Sequence, residues 1–204
     1  MRSLALGLLI LISAGLATAQ KNIRQVDFKN FTYPLSGALL GHDRLQWLDK
    51  PSEAHPHRQP IHLVNGDNLT KASSFVMNGQ EYAQWEGFTL QSVEFADATG
   101  EGKEDAIVVL EYLTGGTQKT HYVYIYAFGD GKPKLLGYFH SGDRAYSGLR
   151  KVYGENGKLV IELFDPQKRS GDCCSSGFVR TRYKWHNGRF EAFGTSEAVT
   201  LQEP

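Results

Sequence analysis

The densest concentration of reactive side chains lies between residues 97 and 105, which read Asp97-Ala98-Thr99-Gly100-Glu101-Gly102-Lys103-Glu104-Asp105. Oxygen-bearing side chains fall at alternate positions 97, 99 and 101 and again at 105, and the Lys103 carbonyl fills the remaining alternate place. A hard cation such as Ca²⁺ takes roughly six to eight oxygens, and glycines let a short loop wrap around it. The spacing therefore predicts a Ca²⁺ site made by Asp97, Thr99, Glu101, Lys103 and Asp105, against the plainer expectation of a solvated hairpin loop. The same acids admit a second chemistry. Crowded carboxylates raise the pKa of one member, so a pair from Asp97, Glu101, Glu104 and Asp105 could act as acid and base in a hydrolase. That reading requires two carboxylates facing each other across a walled cleft.

Cys173 and Cys174 are the two cysteines of the chain, and they are neighbours. Adjacent Cα atoms stand about 3.8 Å apart, closer than the usual span of roughly 4.4–6.8 Å for a disulfide. In an oxidising compartment a Cys173–Cys174 bond is expected, strained and enclosing almost no chain, with the role of fixing a turn. Free thiols and an intermolecular bridge are the alternatives.

Other clusters are weaker. His55, His57 and His62 surround a proline-rich stretch, and the His-x-His spacing suits a metal on an extended segment. An exposed loop is the better expectation. Tyr122, Tyr124 and Tyr126 alternate along one strand and are expected to form a packing ladder rather than a sugar platform. Arg180, Arg182, Lys184 and Arg189 form a basic row whose expected fate is pairing with acids on neighbouring strands. No Gly-x-Ser-x-Gly, His-Glu-x-x-His or phosphate-binding glycine loop occurs, which leaves no recognisable nucleophile or metalloenzyme signature.

The elements that must position these residues are strands. Asn65-Gly66, Asn78-Gly79, Asp130-Gly131, Asn156-Gly157 and Asn187-Gly188 are Asx-Gly pairs, the residues that accept the positive φ of a tight hairpin turn. Between them the expected strands are 88–95, 106–113, 121–128, 134–140, 158–164, 178–186 and 189–193. Strand 121–128 is apolar on both faces and so must be central and covered on both sides. The fold expected is mainly β, an antiparallel meander forming a sandwich, barrel or partial propeller-like stack with little helix. Residues 20–60 make an irregular N-terminal segment packed on the domain, 61–195 the β domain and 196–204 a C-terminal tail.

Residues 1–19 address the chain. Arg2 precedes an apolar run from Leu4 to Leu16, which ends in Ala17-Thr18-Ala19. That is a secretory signal peptide with cleavage before Gln20, too short to serve as a membrane span. A secreted or periplasmic location follows, without stable membrane insertion. The 22 basic and 22 acidic residues balance, so no global charge draws the chain to nucleic acid.

Two local resemblances add to this. Asp97, Gly100, Gly102 and Asp105, followed by an apolar strand, resemble the acidic loop of FG-GAP/VCBS-type repeats, with Thr99 and Glu101 departing from that pattern. The stretch Ser170–Gly177 with its Cys-Cys turn, then Tyr183-Lys184-Trp185 and Gly188-Arg189, resembles the C-terminal end of uncharacterised bacterial secreted β-rich proteins. The function expected is a non-catalytic binding or interaction domain acting on a protein or glycan partner outside the cytoplasm. The alternatives are the carboxylate hydrolase, acting on an envelope polymer, and a periplasmic enzyme inhibitor. Ser141-Gly142-Asp143-Arg144-Ala145-Tyr146 resembles the loop of periplasmic lysozyme inhibitors, with the tyrosine one residue too far.

Overall fold

The computed structural model describes residues 22–34, 60–116, 119–143, 146–170 and 174–201. Residues 1–19, where the leader is expected, and the histidines at 55 and 57 lie outside them. The strands, in chain order, are β1 (Thr32–Tyr33), β2 (Ile61–His62), β3 (Thr70–Met77), β4 (Gln80–Ala96), β5 (Asp105–Thr114), β6 (Lys119–Gly129) and β7 (Lys132–His140). After these come β8 (Leu149–Glu155), β9 (Lys158–Phe164), β10 (Arg169–Ser170), β11 (Cys174–Ser175), β12 (Gly177–His186), β13 (Arg189–Ala192) and β14 (Glu197–Thr200). Two short 3₁₀ turns, Ile23–Gln25 and Pro166–Lys168, are the helical elements among the described residues.

The strands make two five-stranded antiparallel sheets. The first is an uninterrupted meander, β3-β4-β5-β6-β7; the second runs β13-β12-β9-β8, with β14 also paired to β12. All five Asx-Gly pairs are turns with positive φ at both residues, such as 53° and 78° at Asn78-Gly79 and 52° and 69° at Asn156-Gly157. That is the backbone a two-residue hairpin needs to match strand twist.

The central strands of the first sheet are covered on both faces, as their composition requires. Ile107, Val109, Val123 and Ile125 face the second sheet, where Val152, Leu159, Ile161, Tyr183 and Phe190 complete one core. The opposite face carries Ala106, Val108, Leu110, Tyr122, Tyr124 and Tyr126, buried beneath Ile23, Phe28, Tyr33, Ile61 and Leu63. The N-terminal segment thus acts as a third layer over a β sandwich. The tyrosine row is the packing ladder: Tyr33 lies 5.0 Å from Tyr124, and Tyr124 stacks 5.5 Å from Tyr138.

Besides the two-residue strands β1, β2, β10 and β11, three longer strands stand where none was expected. β3 is exposed throughout, so no burial pattern marks it. β8 buries Val152 and leaves charged residues outward. β14, placed by sequence in a tail, pairs Glu197 with Arg180 and Val199 with Phe178.

Candidate functional site

Loop 97–104 connects β4 to β5 and turns Asp97 onto its own backbone. Asp97 accepts the Gly100 N–H at 2.7 Å through Oδ1 and the Gly102 N–H at 2.9 Å through Oδ2. Asp105 accepts the Ala98 N–H at 3.0 Å. The Thr99 hydroxyl lies within reach of both carboxylates, 3.1 Å from Asp105 and 3.4 Å from Asp97. Gly100 and Gly102 hold φ of +79° and +75°, which lets their N–H groups converge on Asp97. The loop's own donors account for Asp97 and Asp105. Asp105 is 2% exposed, and burial pushes its pKa up to about 6, with the neighbouring Asp97 charge adding to the rise.

The remaining loop residues point elsewhere. Glu101 and Lys103 are exposed. Glu104 leaves the cluster for Arg24, which donates to it from Nε and Nη2 at 2.6 Å each while lying over the Phe95 ring. Among the described residues, no three His, Cys, Asp or Glu side chains form a group that could hold a metal ion. Cys173 lies outside the described residues; the Cys174 backbone belongs to β11, paired to β10 through Ser170. His62 shares a 2.8 Å hydrogen bond with Thr32 across β1 and β2.

The loop also clamps the two sheets together. A Cβ on Gly157, in the turn between β8 and β9, would sit 2.9 Å from the Gly100 Cα, and a Cβ on Gly154 would sit 2.5 Å from the Ala96 Cβ. Backbone therefore packs on backbone where the two hairpins meet, an approach no side chain permits. The partner of Gly100, Gly157 in the turn after β8, is visible only in the packing.

That junction opens one wall of a cleft of about 500 Å³, lined by Asp97, Thr99, Gly100, Asn156, Gly157, Lys158, Lys184 and Phe193. The β9–β12 register ends with Tyr183 against Leu159, so Lys158 and Lys184 follow the last pair, both lining the cleft, with Lys158 set against Glu155 of β8. Lys158 reaches the Asn156 carbonyl at 3.4 Å and lies 5.1 Å from the Phe193 ring centre. Glu191, opposite Lys184 on β13, has its carboxylate engaged by Arg189 Nε at 2.6 Å. Phe193 is 50% exposed and anchored by its N–H to the Arg182 carbonyl at 2.8 Å. Opposite Asp97 the cleft thus presents ammonium groups and an aromatic face rather than a second carboxylate.

The rest of the basic row is neutralised by acids, as its position beside β9 and β14 dictates. Glu162, 1% exposed, accepts from Arg150 and from Arg180 Nε at 2.8 Å, and Arg180 and Arg182 both donate to Glu197. These contacts raise the Arg180 and Arg182 pKa values. Lys184 stands apart from this network. No helix among the described residues is long and apolar enough to cross a membrane. No family model matches the chain, and neither do any of the curated proteins or solved structures compared with it.

Proposed function

We propose that this protein is a non-catalytic binding domain acting outside the cytoplasm, and that its ligand is a glycan carrying a carboxylate. One observation carries the reading: Lys158 and Lys184 both line a cleft that also holds an exposed aromatic ring. An anionic group between them gains charge-assisted hydrogen bonds. Phe193 supplies a flat apolar face for a sugar ring, while Asp97, Thr99 and Asn156 offer acceptors and donors to its hydroxyls. A cleft of about 500 Å³ accommodates a short saccharide. The carboxylate hydrolase finds less support, because lysines stand opposite Asp97. The extracytoplasmic address rests on the leader at residues 1–19, and N-terminal sequencing of the exported protein is expected to begin at Gln20.

Titration calorimetry with galacturonate oligosaccharides tests the ligand. Binding is expected for the acidic series and not for the matching neutral galactose series. K184E is expected to weaken it by roughly 10- to 100-fold, the worth of one charge-assisted hydrogen bond. Equal affinity for both series, or no effect of K184E, refutes the reading.

A further inference from the structure

β4 runs from Gln80 to Ala96, but β5 pairs with it only from Glu86 onward. Residues Gln80 to Trp85 therefore pair with β3 alone, and the hairpin extends past the rest of the sheet as a two-stranded ribbon. Such a ribbon is marginally stable in water unless further strands or a packed face support it. This one carries apolar residues on both faces. Phe75, Met77 and Tyr82 share one side, with the Phe75 and Tyr82 rings stacked at 5.5 Å. Val76 and Trp85 share the other. Val76 is 70% exposed, Met77 51%, Trp85 48% and Phe75 45%.

β3 is also the outer edge of its sheet, and nothing among the described residues pairs with that edge. Exposed edges are ordinarily guarded by charge, proline or a bulge. Here the guards, Lys71 and the bulge at Ala72, stand at the base, where Ala72 meets Gly115. From Ala72 to Met77 the edge has neither charge nor proline.

We propose that this edge pairs antiparallel with β3 of a second copy of the chain, about a two-fold axis at Phe75. The two-residue turn at Asn78-Gly79 makes Met77–Gln80 and Phe75–Tyr82 the hydrogen-bonded pairs, so the backbone groups of Ser74 and Val76 point outward. An axis at Phe75 sets Ser74 against Val76 of the copy, satisfying those groups, and keeps each side chain on its own face of the sheet. Phe75 then meets its own copy, extending the Tyr82–Phe75 stack into a ladder across four strands. Charge favours a copy: pairing about Phe75 sets Ser73–Met77 only against Ser73–Met77 of the copy, so no charge meets a like charge along the seam.

Sedimentation velocity of the purified full chain over a hundredfold concentration range tests this. The expected result is a concentration-dependent species of two-copy mass. V76K and F75E are each expected to weaken the dimer at least tenfold while leaving the circular dichroism spectrum unchanged, because both side chains are exposed. V64K, on an exposed apolar residue outside the hairpin, is expected to dimerise as the parent does. A monomer throughout overturns the proposal. So does a dimer that V76K and F75E leave intact, which places the interface elsewhere. A monomer that floats with phosphatidylcholine vesicles and loses flotation on F75E gives the hairpin to a lipid surface instead, and likewise overturns it.

Discussion

Substituting Gly154 by alanine probes the contact that holds the sheets in register. The new methyl would lie 2.5 Å from the Ala96 Cβ, with the Asp97 carbonyl next nearest at 3.5 Å. Carbon atoms rest near roughly 3.5–4.0 Å, so β8 and the end of β4 must part by about 1 Å or more. Ala96 has no flexible side chain to move aside. Such overpacking costs about 1–3 kcal/mol, and each kcal/mol moves the midpoint of a domain of this size by about 2–4 °C. A fall of roughly 2–12 °C is expected in thermal unfolding followed by circular dichroism. Ala96→Gly alone is expected to cost about 0.5–1 kcal/mol, the penalty of glycine within a strand. In the Ala96→Gly background the clash is gone, and Gly154→Ala is expected to be near neutral or slightly stabilising, because alanine narrows the unfolded ensemble. The coupling between the two changes is therefore expected at about 1–3 kcal/mol. Equal cost for Gly154→Ala in both backgrounds refutes the account of the junction as a steric lock.

Two further outcomes follow from buried acids. Burial raises the folded-state pKa of Asp105 from the ordinary aspartate range to about 6, so its favourable contribution is complete below about pH 4 and is lost as pH rises through 6; Asp105→Asn should flatten a loss on the order of 2–3 kcal/mol over that window, measured by urea unfolding at successive pH values, and an unchanged slope counts against the burial of the carboxyl. Glu162→Gln should lower stability by about 2–3 kcal/mol, since Arg150 and Arg180 lose the charge they both donate to and each such bond is worth roughly 1.5–3 kcal/mol; a loss under 0.5 kcal/mol in the same assay would show that solvent replaces the carboxylate at little cost.

The separation between what the chain announces and what it withholds runs along the range of the interactions. Asn78-Gly79 and Asn156-Gly157 specify their turns because positive φ is a property of one or two residues. The double-sided apolarity of β6 places it in the middle of the molecule because both its faces must leave water, and the two cores bear this out. The pairing of Arg180 and Arg182 with acids was likewise legible, since a basic row on one strand face needs neighbours of opposite charge. Other features depend on groups far apart in sequence. That Gly100 and Gly102 turn their N–H groups onto Asp97 is set by how the loop closes. Gly154 looks like an ordinary strand glycine until Ala96 is found where its side chain would be. Lys158 and Lys184 lie twenty-six positions apart, and only the pairing of β9 with β12 brings both to one cleft. β3 carries no burial pattern because it is not buried within its own chain; what sequence cannot mark there, the tertiary structure exposes as an unguarded edge. Local backbone preference and hydrophobic patterning therefore fixed the strands, turns and central layer, whereas the cleft, the lock between sheets and the open edge came from close approach across the fold, which no local pattern encodes.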